Sequence, residues 1–171
     1  GESYPLAFGR LVAANRPRYG GYVVHLAVVM MALAIIGTYF FGTQRDVVLP
    51  PGGQVTVGGY QITYIDAQQI QHPDHLQSVA TVVVERDGKS LGTYSPWQDF
   101  YPSFSLRPAR AAIRSTPIED LYIIPNDFFQ DGSVGFRILI NPLLMWMWIA
   151  GPVLVLGTVI ALWPQRKRAL T

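Results

Sequence analysis

The sequence predicts a membrane protein of two transmembrane α-helices flanking a small antiparallel all-β extracytoplasmic domain, sandwich-like or barrel-like. Three observations predict it. Half of the 171 residues are hydrophobic and only 14% are charged, a profile too apolar for an ordinary soluble domain of this size. The uncharged residues gather into two long runs, the 26 from Tyr19 to Gln44 and the 28 from Ile138 to Gln165. Between the spans lies a 96-residue stretch, 42–137, in which short alternations of apolar and polar residues are separated by turn residues.

Residues 1–19 read as a short amphipathic cytoplasmic lead-in, with Pro17 just before the first span. Residues 20–41 are that span. A hydrocarbon core takes roughly 20 apolar residues as helix, and charge-free runs of about 18 or more read as spans. Tyr39, Phe40 and Phe41 close it with rings suited to the aromatic belt at the outer interface. The run is too long, and lies too far from residue 1, for a signal peptide. The second span is expected within 138–163, with its helix from about Asn141 and Pro142 in the first turn, where a missing N–H is harmless. Trp146 and Trp148 fall early in it, and Gly151-Pro152 should kink it mid-span. Trp163 and Pro164 mark its exit, and 164–171 form a basic tail.

The middle stretch is β-rich. VTVGGYQITYID, 55–66, alternates on either side of Gly58-Gly59, and SVATVVVERDGKSLGTY, 78–94, does so around Asp87-Gly88. Both are hairpin patterns with two-residue turns. RAAIRS (110–115), DLYII (120–124) and SVGFRIL (133–139) are expected as further strands, the last after an Asp131-Gly132 turn. Six or seven short strands in this length predict a sandwich or barrel-like domain. Its core is expected to draw on Val55, Val57, Ile62, Val82, Val84, Leu121 and Ile123, alternate positions on one face. SPWQDFYPSFSLRP, 95–108, reads as an irregular aromatic loop.

Charge sets the expected orientation. The two ends carry Arg10, Arg16, Arg18, Arg166, Lys167 and Arg168 against Glu2, net +5; residues 42–137 are net −3, which together give the chain's +2. Basic flanks stay on the cytoplasmic side, so both termini are expected inside and 42–137 outside. The sequence pI near 9.0 reflects those flanks and does not point to nucleic acid. Cysteine is absent, which excludes disulfides and thiol chemistry by this chain. No Gly-rich phosphate loop, Ser-His-Asp order or HExxH is present.

His25 is the main candidate for chemistry. It stands about 8 Å into the first span at 1.5 Å per residue, deep enough to need a partner. Polar groups at that depth are costly and tend to mark proton paths or cofactor ligands, although a histidine near a helix end also serves in helix packing. Gly20 and Gly21 lie on the preceding turn, where missing side chains admit close approach of something large. One imidazole holds a haem iron on one side alone, so a second ligand must come from elsewhere. His72 and His75, in QHPDHLQ, have the spacing of a metal pair but no third ligand, and a solvated loop is the better reading. Asp99, Glu119 and Asp120 read as turn and strand-edge acids, and the aromatics around Trp97, Phe100, Tyr101 and Phe104 as a cover for the sheet end or a binding surface.

Three stretches in order, RPRYGGYVVHLAVV (16–29), AAIRSTPIEDLYII (111–124) and NPLLMWMWIAGPVLVLG (141–157), followed by the basic tail, resemble the C-terminal end of the CcmF family. The resemblance covers about residues 5–168. Ala150-Gly151 stands where the family usually has two glycines, a change expected to touch packing alone. The family is the large, many-span membrane subunit of the bacterial cytochrome c maturation system. Its WWD signature, the flanking histidines that handle incoming haem and the partner of the intramembrane histidine have no counterpart here. The chain starts with Gly1 rather than Met, so it is expected to be the last two spans and intervening domain of a larger helical bundle.

The resemblance implies that His25 is one axial ligand of an intramembrane haem b, in an inner-membrane haem lyase. It implies the haem chaperone CcmE, the components CcmH and CcmI, and apocytochrome c as partners. This segment alone is not expected to be active. Read without the resemblance, the alternative is a non-enzymatic two-span membrane protein whose β-domain binds a partner or ligand. Either reading requires the same topology. Reporter fusions at residues 5 and 170 are expected to report the cytoplasm and a fusion at residue 90 the outside; a cytoplasmic signal at residue 90 would overturn the orientation.

Overall fold

The computed structural model describes residues 3, 4, 9 and 12–164, so Arg10 and the tail bases Arg166, Lys167 and Arg168 lie outside the described residues. The chain divides into two compact units, a helical one drawn from Gly1–Tyr39 and Leu143–Thr171, and a β-unit, Phe40–Pro142.

The helical unit contains α1, Arg16–Phe41, and α2, Leu144–Leu162. Both are long and apolar enough to cross a membrane. Neither has an acid in its first turn or a base in its last, and Pro152 lies inside α2. The first span was expected from residue 20 and the helix starts a turn earlier; the second starts later than expected.

That later start is a correction. Residues 138–142 continue strand β10, Val134–Pro142, and Pro142 closes a strand rather than filling a first helical turn. Ile138-Leu139-Ile140 is charge-free and apolar because it is buried in a β-core, and a short apolar run alone does not separate strand from helix. Leu143, at φ 60°, makes the left-handed step between strand and helix.

The β-unit is a sandwich. One sheet runs β1-β10-β9-β8, with β1 at Thr43–Leu49, β9 at Glu119–Phe128 and β8 at Ala112–Ser115. The other runs β2-β3-β4-β6-β7: Gln54–Val57, Tyr60–Gln71, Leu76–Arg86, Trp97–Phe100 and Ala109–Arg110, with β5, Lys89–Tyr94, also on β4. All pairs are antiparallel. The described residues thus hold more strands than expected. RAAIRS is broken into β7 and β8, DLYII is the inner part of a longer β9, and 95–108 contains β6 and a Tyr101–Leu106 bridge instead of being wholly irregular.

The two predicted hairpin turns are present. Gly58 and Gly59 take φ 54° and 81°, and Asp87 and Gly88 take 51° and 72°, the paired positive φ of a turn that follows strand twist. At Gly58 a second reason adds to the first: a side chain there would run into the Ile140 side chain of the other sheet.

All seven expected core residues are buried, from 0% exposure at Ile62, Val82 and Val84 to 7% at Val55. Alternation did not reveal Tyr60, Tyr64, Phe136, Ile138 and Ile140, which join them. The tyrosines are buried with their hydroxyls satisfied: Tyr64 donates to the Gly132 carbonyl at 2.9 Å and Tyr60 to the Glu119 carboxylate at 3.0 Å. Arg86, across the Tyr60 ring at 4.6 Å, donates to that hydroxyl and pairs with Glu119. Burial, and then the hydrogen bond to Glu119, push the Tyr60 hydroxyl above its ordinary pKa. The group ties β3 and β4 of one sheet to β9 of the other.

Because Ile62 is fully buried between the layers, Ile62→Ala is expected to cost about 2–5 kcal/mol. Ile70→Ala, at 44% exposure, is expected to cost less than about 0.5 kcal/mol. Denaturant unfolding followed by near-ultraviolet circular dichroism checks the contrast, and equal losses would disprove the register.

Candidate functional site

Helix α1 divides its surface between two tasks. Its buried residues are Gly20, Ala27, Ala34 and Gly37, the first three a heptad apart, and those of α2 are Ala150 and Gly157. Small residues at this spacing form a seam along which two helix backbones approach closely. A Cβ placed on Gly20 would fall 2.6 Å from the Ala161 Cα, and one on Gly157 would fall 2.8 Å from the Val24 nitrogen. Without a hydrophobic drive inside lipid, such contact is what holds helices together.

Gly20 therefore admits the second helix. The expectation that it leaves room for a cofactor is corrected: its open side is filled by Ala161. Gly21, the next residue, has nothing within 4 Å of where a Cβ would stand. The pair of glycines looked equivalent in sequence, but about 100° of helical rotation per residue separates their faces.

His25 lies four residues after Gly21 on that same open face, and its side chain is exposed. Five residues from Gly20 correspond to about 140° around the helix, which turns the imidazole away from the seam. Helix packing against α2 is thus not its task. Its Nδ1 lies 2.7 Å from the Gly21 carbonyl oxygen, which accepts a hydrogen bond and has no proton to give. Nδ1–H must donate, so the neutral ring carries its lone pair on Nε2, directed away from its own helix turn. Metal-ligating imidazoles are commonly fixed in this way, with the second ring nitrogen tied to a carbonyl. Such a ring fits a haem iron as one ligand, through Nε2.

His72 and His75 do something else. Their rings stack at 4.3 Å with 10° between planes, and His75 stacks in turn on Tyr101 at 4.8 Å. The His75 Nδ1 lies 2.7 Å from the Asp74 carboxylate, which the imidazole holds below the usual carboxylate range, and its Nε2 lies 3.8 Å from Asp99. Stacked rings place their nitrogens in parallel planes instead of aiming them at one point. Among the described residues no three His, Cys, Asp or Glu side chains converge as metal ligands.

The acids expected at turns and strand edges are not all at the surface. Asp99 and Asp120 are 6% and 2% exposed, and Glu119 belongs to the inter-sheet group with Arg86 and Tyr60. Sequence reading missed the partners of Gly20 and Gly157, because the seam is defined by two helices far apart in the chain. The heptad of small residues at 20, 27 and 34 was the available signal.

Comparison with known proteins adds to this geometry. Residues 40–142 match the family described as the CcmF C-terminal β-sandwich. The chain is similar to the cytochrome c-type biogenesis protein CcmF of Pseudomonas aeruginosa, 28% identical over 154 residues, covering 90% of this chain and 23% of that protein. The same protein of Escherichia coli is 26% identical over 150 residues, covering 88% of this chain and 23% of the relative. Among solved structures, one titled cytochrome c heme lyase CcmF superposes with a TM-score of 0.72 at 28% identity, over 89% of this chain and 26% of that one. The chain thus spans about a quarter of the length of the relatives it matches.

The unequal glycines can be told apart by experiment. Gly20→Leu is expected to destabilise the detergent-solubilised chain by about 1–3 kcal/mol through overpacking against Ala161, whereas Gly21→Leu is expected to leave it unchanged. Thermal melts of the two variants decide it; equal melting temperatures would remove the seam assignment.

Proposed function

The chain belongs to the CcmF family, and we propose that it is the C-terminal portion of a cytochrome c maturation haem lyase subunit that supplies one axial ligand to an intramembrane haem b. Membership rests on the β-sandwich match over residues 40–142 and on relatives that are themselves cytochrome c-type biogenesis proteins. The observation that carries the ligand role is the Nδ1 contact of His25 with the Gly21 carbonyl, on the face of α1 that α2 leaves open. It prepares Nε2 as the ligating nitrogen and holds the ring in one orientation.

Each residue then has a physical task. Gly21 presents the carbonyl that fixes the tautomer, and its missing side chain leaves room for a planar ligand beside the helix. Gly20, Ala27 and Ala34 hold α1 against α2, so that the His25 face stays directed elsewhere. The second ligand belongs to another part of the assembly. Held by His25 through Nε2, the haem would supply electron transfer.

In this reading the chain is an inner-membrane, multi-pass segment with both termini cytoplasmic and 42–137 periplasmic. The β-sandwich is the docking domain, and CcmE, CcmH, CcmI and apocytochrome c are the partners. This segment alone would not catalyse ligation.

In the membrane-inserted protein that contains this chain, His25→Ala is expected to abolish or strongly weaken the b-type absorbance while protein level stays near normal, since Ala suits a lipid-facing helix better than His. His72→Ala and His75→Ala are expected to leave the spectrum unchanged. A His25→Ala spectrum indistinguishable from wild type would remove the ligand role.

A further inference from the structure

Strand β3 is twelve residues long, but its neighbour β2 covers only Tyr60 to Thr63. Tyr64 then completes that side by exchanging main-chain hydrogen bonds with Gly52 and Gly53 at 2.8 and 2.9 Å. From Asp66 to Gln71 the strand pairs with β4 alone, Asp66 opposite Thr81 through Gln71 opposite Leu76. Among the described residues, no main-chain partner meets the other edge of these six residues, and all six are exposed.

Native sheets blunt such edges with Lys, Pro, bulges or a covering segment. Asp-Ala-Gln-Gln-Ile-Gln has no Lys, Pro or Gly, and the bulge at Ile65 lies before the open stretch rather than within it. Beside the edge lies a groove of about 450 Å³, lined by Ala67 and Gln69 of β3 and by Phe128, Phe129 and Val134 across from them. Phe129 is 48% exposed, a large ring left in the open at the groove wall.

We propose that this edge and groove take an extended, basic segment of a partner polypeptide as an added β-strand. A row of unpaired N–H and C=O groups is satisfied best by another backbone, and neither a helix nor a small molecule offers donors and acceptors at strand spacing. Alternate apolar side chains of such a segment would enter the groove against Phe128 and Phe129. Charge decides the composition. Asp131 stands between the groove residues Gln130 and Gly132 and is bonded to Ser133 of the groove wall, whereas no Lys or Arg lines the groove. The Ser133 hydroxyl and amide hold the Asp131 carboxylate below its usual range, so it stays ionised. Nothing in this proposal depends on His25 or on haem.

The test uses the detergent-solubilised chain and a fluorescein-labelled peptide of alternating Lys and Val, read by anisotropy. Binding is expected, weakened about tenfold or more by N-methylating alternate peptide amides, since each methyl removes one ladder hydrogen bond without altering the protein. Phe129→Ala is expected to weaken binding severalfold, and a Glu/Val peptide is expected not to bind. The proposal is overturned if the Lys/Val peptide fails to bind, or if its N-methylated form binds equally well. A dimer seen by light scattering that the peptide does not displace would also overturn it, by making the occupant a second copy of this chain.

Discussion

The antiparallel pairing of β1 with β10 is the constraint on which the remaining architecture depends. Strand β1 follows α1 after one residue, and α2 follows β10 after one residue, so the strands next to the two helices are neighbours in one sheet. Thr43 stands opposite Ile140, and further along Asp46 stands opposite Arg137 in a two-pronged ion pair, with contacts of 2.8 and 3.2 Å. That pair is exposed, and exposed pairs contribute little to stability. Its value is in register, because a slip of one residue would turn Phe136, Ile138 and Ile140 out of the core. The sandwich therefore begins and ends on one pair of strands.

The helices make a different use of limited surface. One face of α1 is given to small residues that let α2 come close, while another carries the exposed His25 and Gly21, which has nothing within 4 Å of where a Cβ would stand. The division follows from helical rotation alone. Packing against α2 falls to glycine and alanine, and His25 lies outside that seam. Asymmetry between two adjacent glycines is the clearest trace of this arrangement.

In the β-unit, several polar groups taken out of water are answered across the layers, while Asp120 Oδ1 and Arg114 Nε are buried without a hydrogen-bond partner among the described residues. Tyr60, Arg86 and Glu119 come from strands of both sheets and satisfy one another, and Tyr64 reaches the Gly132 carbonyl. The stacked His72, His75 and Tyr101 close the loop after β3, at the opposite end of that strand from Tyr60. A histidine pair near carboxylates resembles a metal site in sequence, whereas its ring planes show aromatic packing. Among the described residues, the strand leading into that loop has an open edge from Asp66 to Gln71.

Much of this protein is determined by its sequence. Two charge-free runs determine two long helices, because a hydrocarbon core tolerates neither charge nor unpaired backbone. Alternation on either side of Gly58-Gly59 and Asp87-Gly88 determines the two hairpins and seven core positions, because strand side chains have period two and these turns need positive φ. The place of His25, a turn and more into an apolar helix, is also there to be read. Tertiary structure decided what local pattern cannot carry. It made Ile138–Pro142 a strand, since burial in a sheet and burial in lipid select the same apolar residues. It separated Gly20 from Gly21, since which face meets α2 depends on a helix more than a hundred residues away. It also left Asp66–Gln71 without a second neighbour among the described residues, since the length of one strand says nothing about the length of the strand beside it.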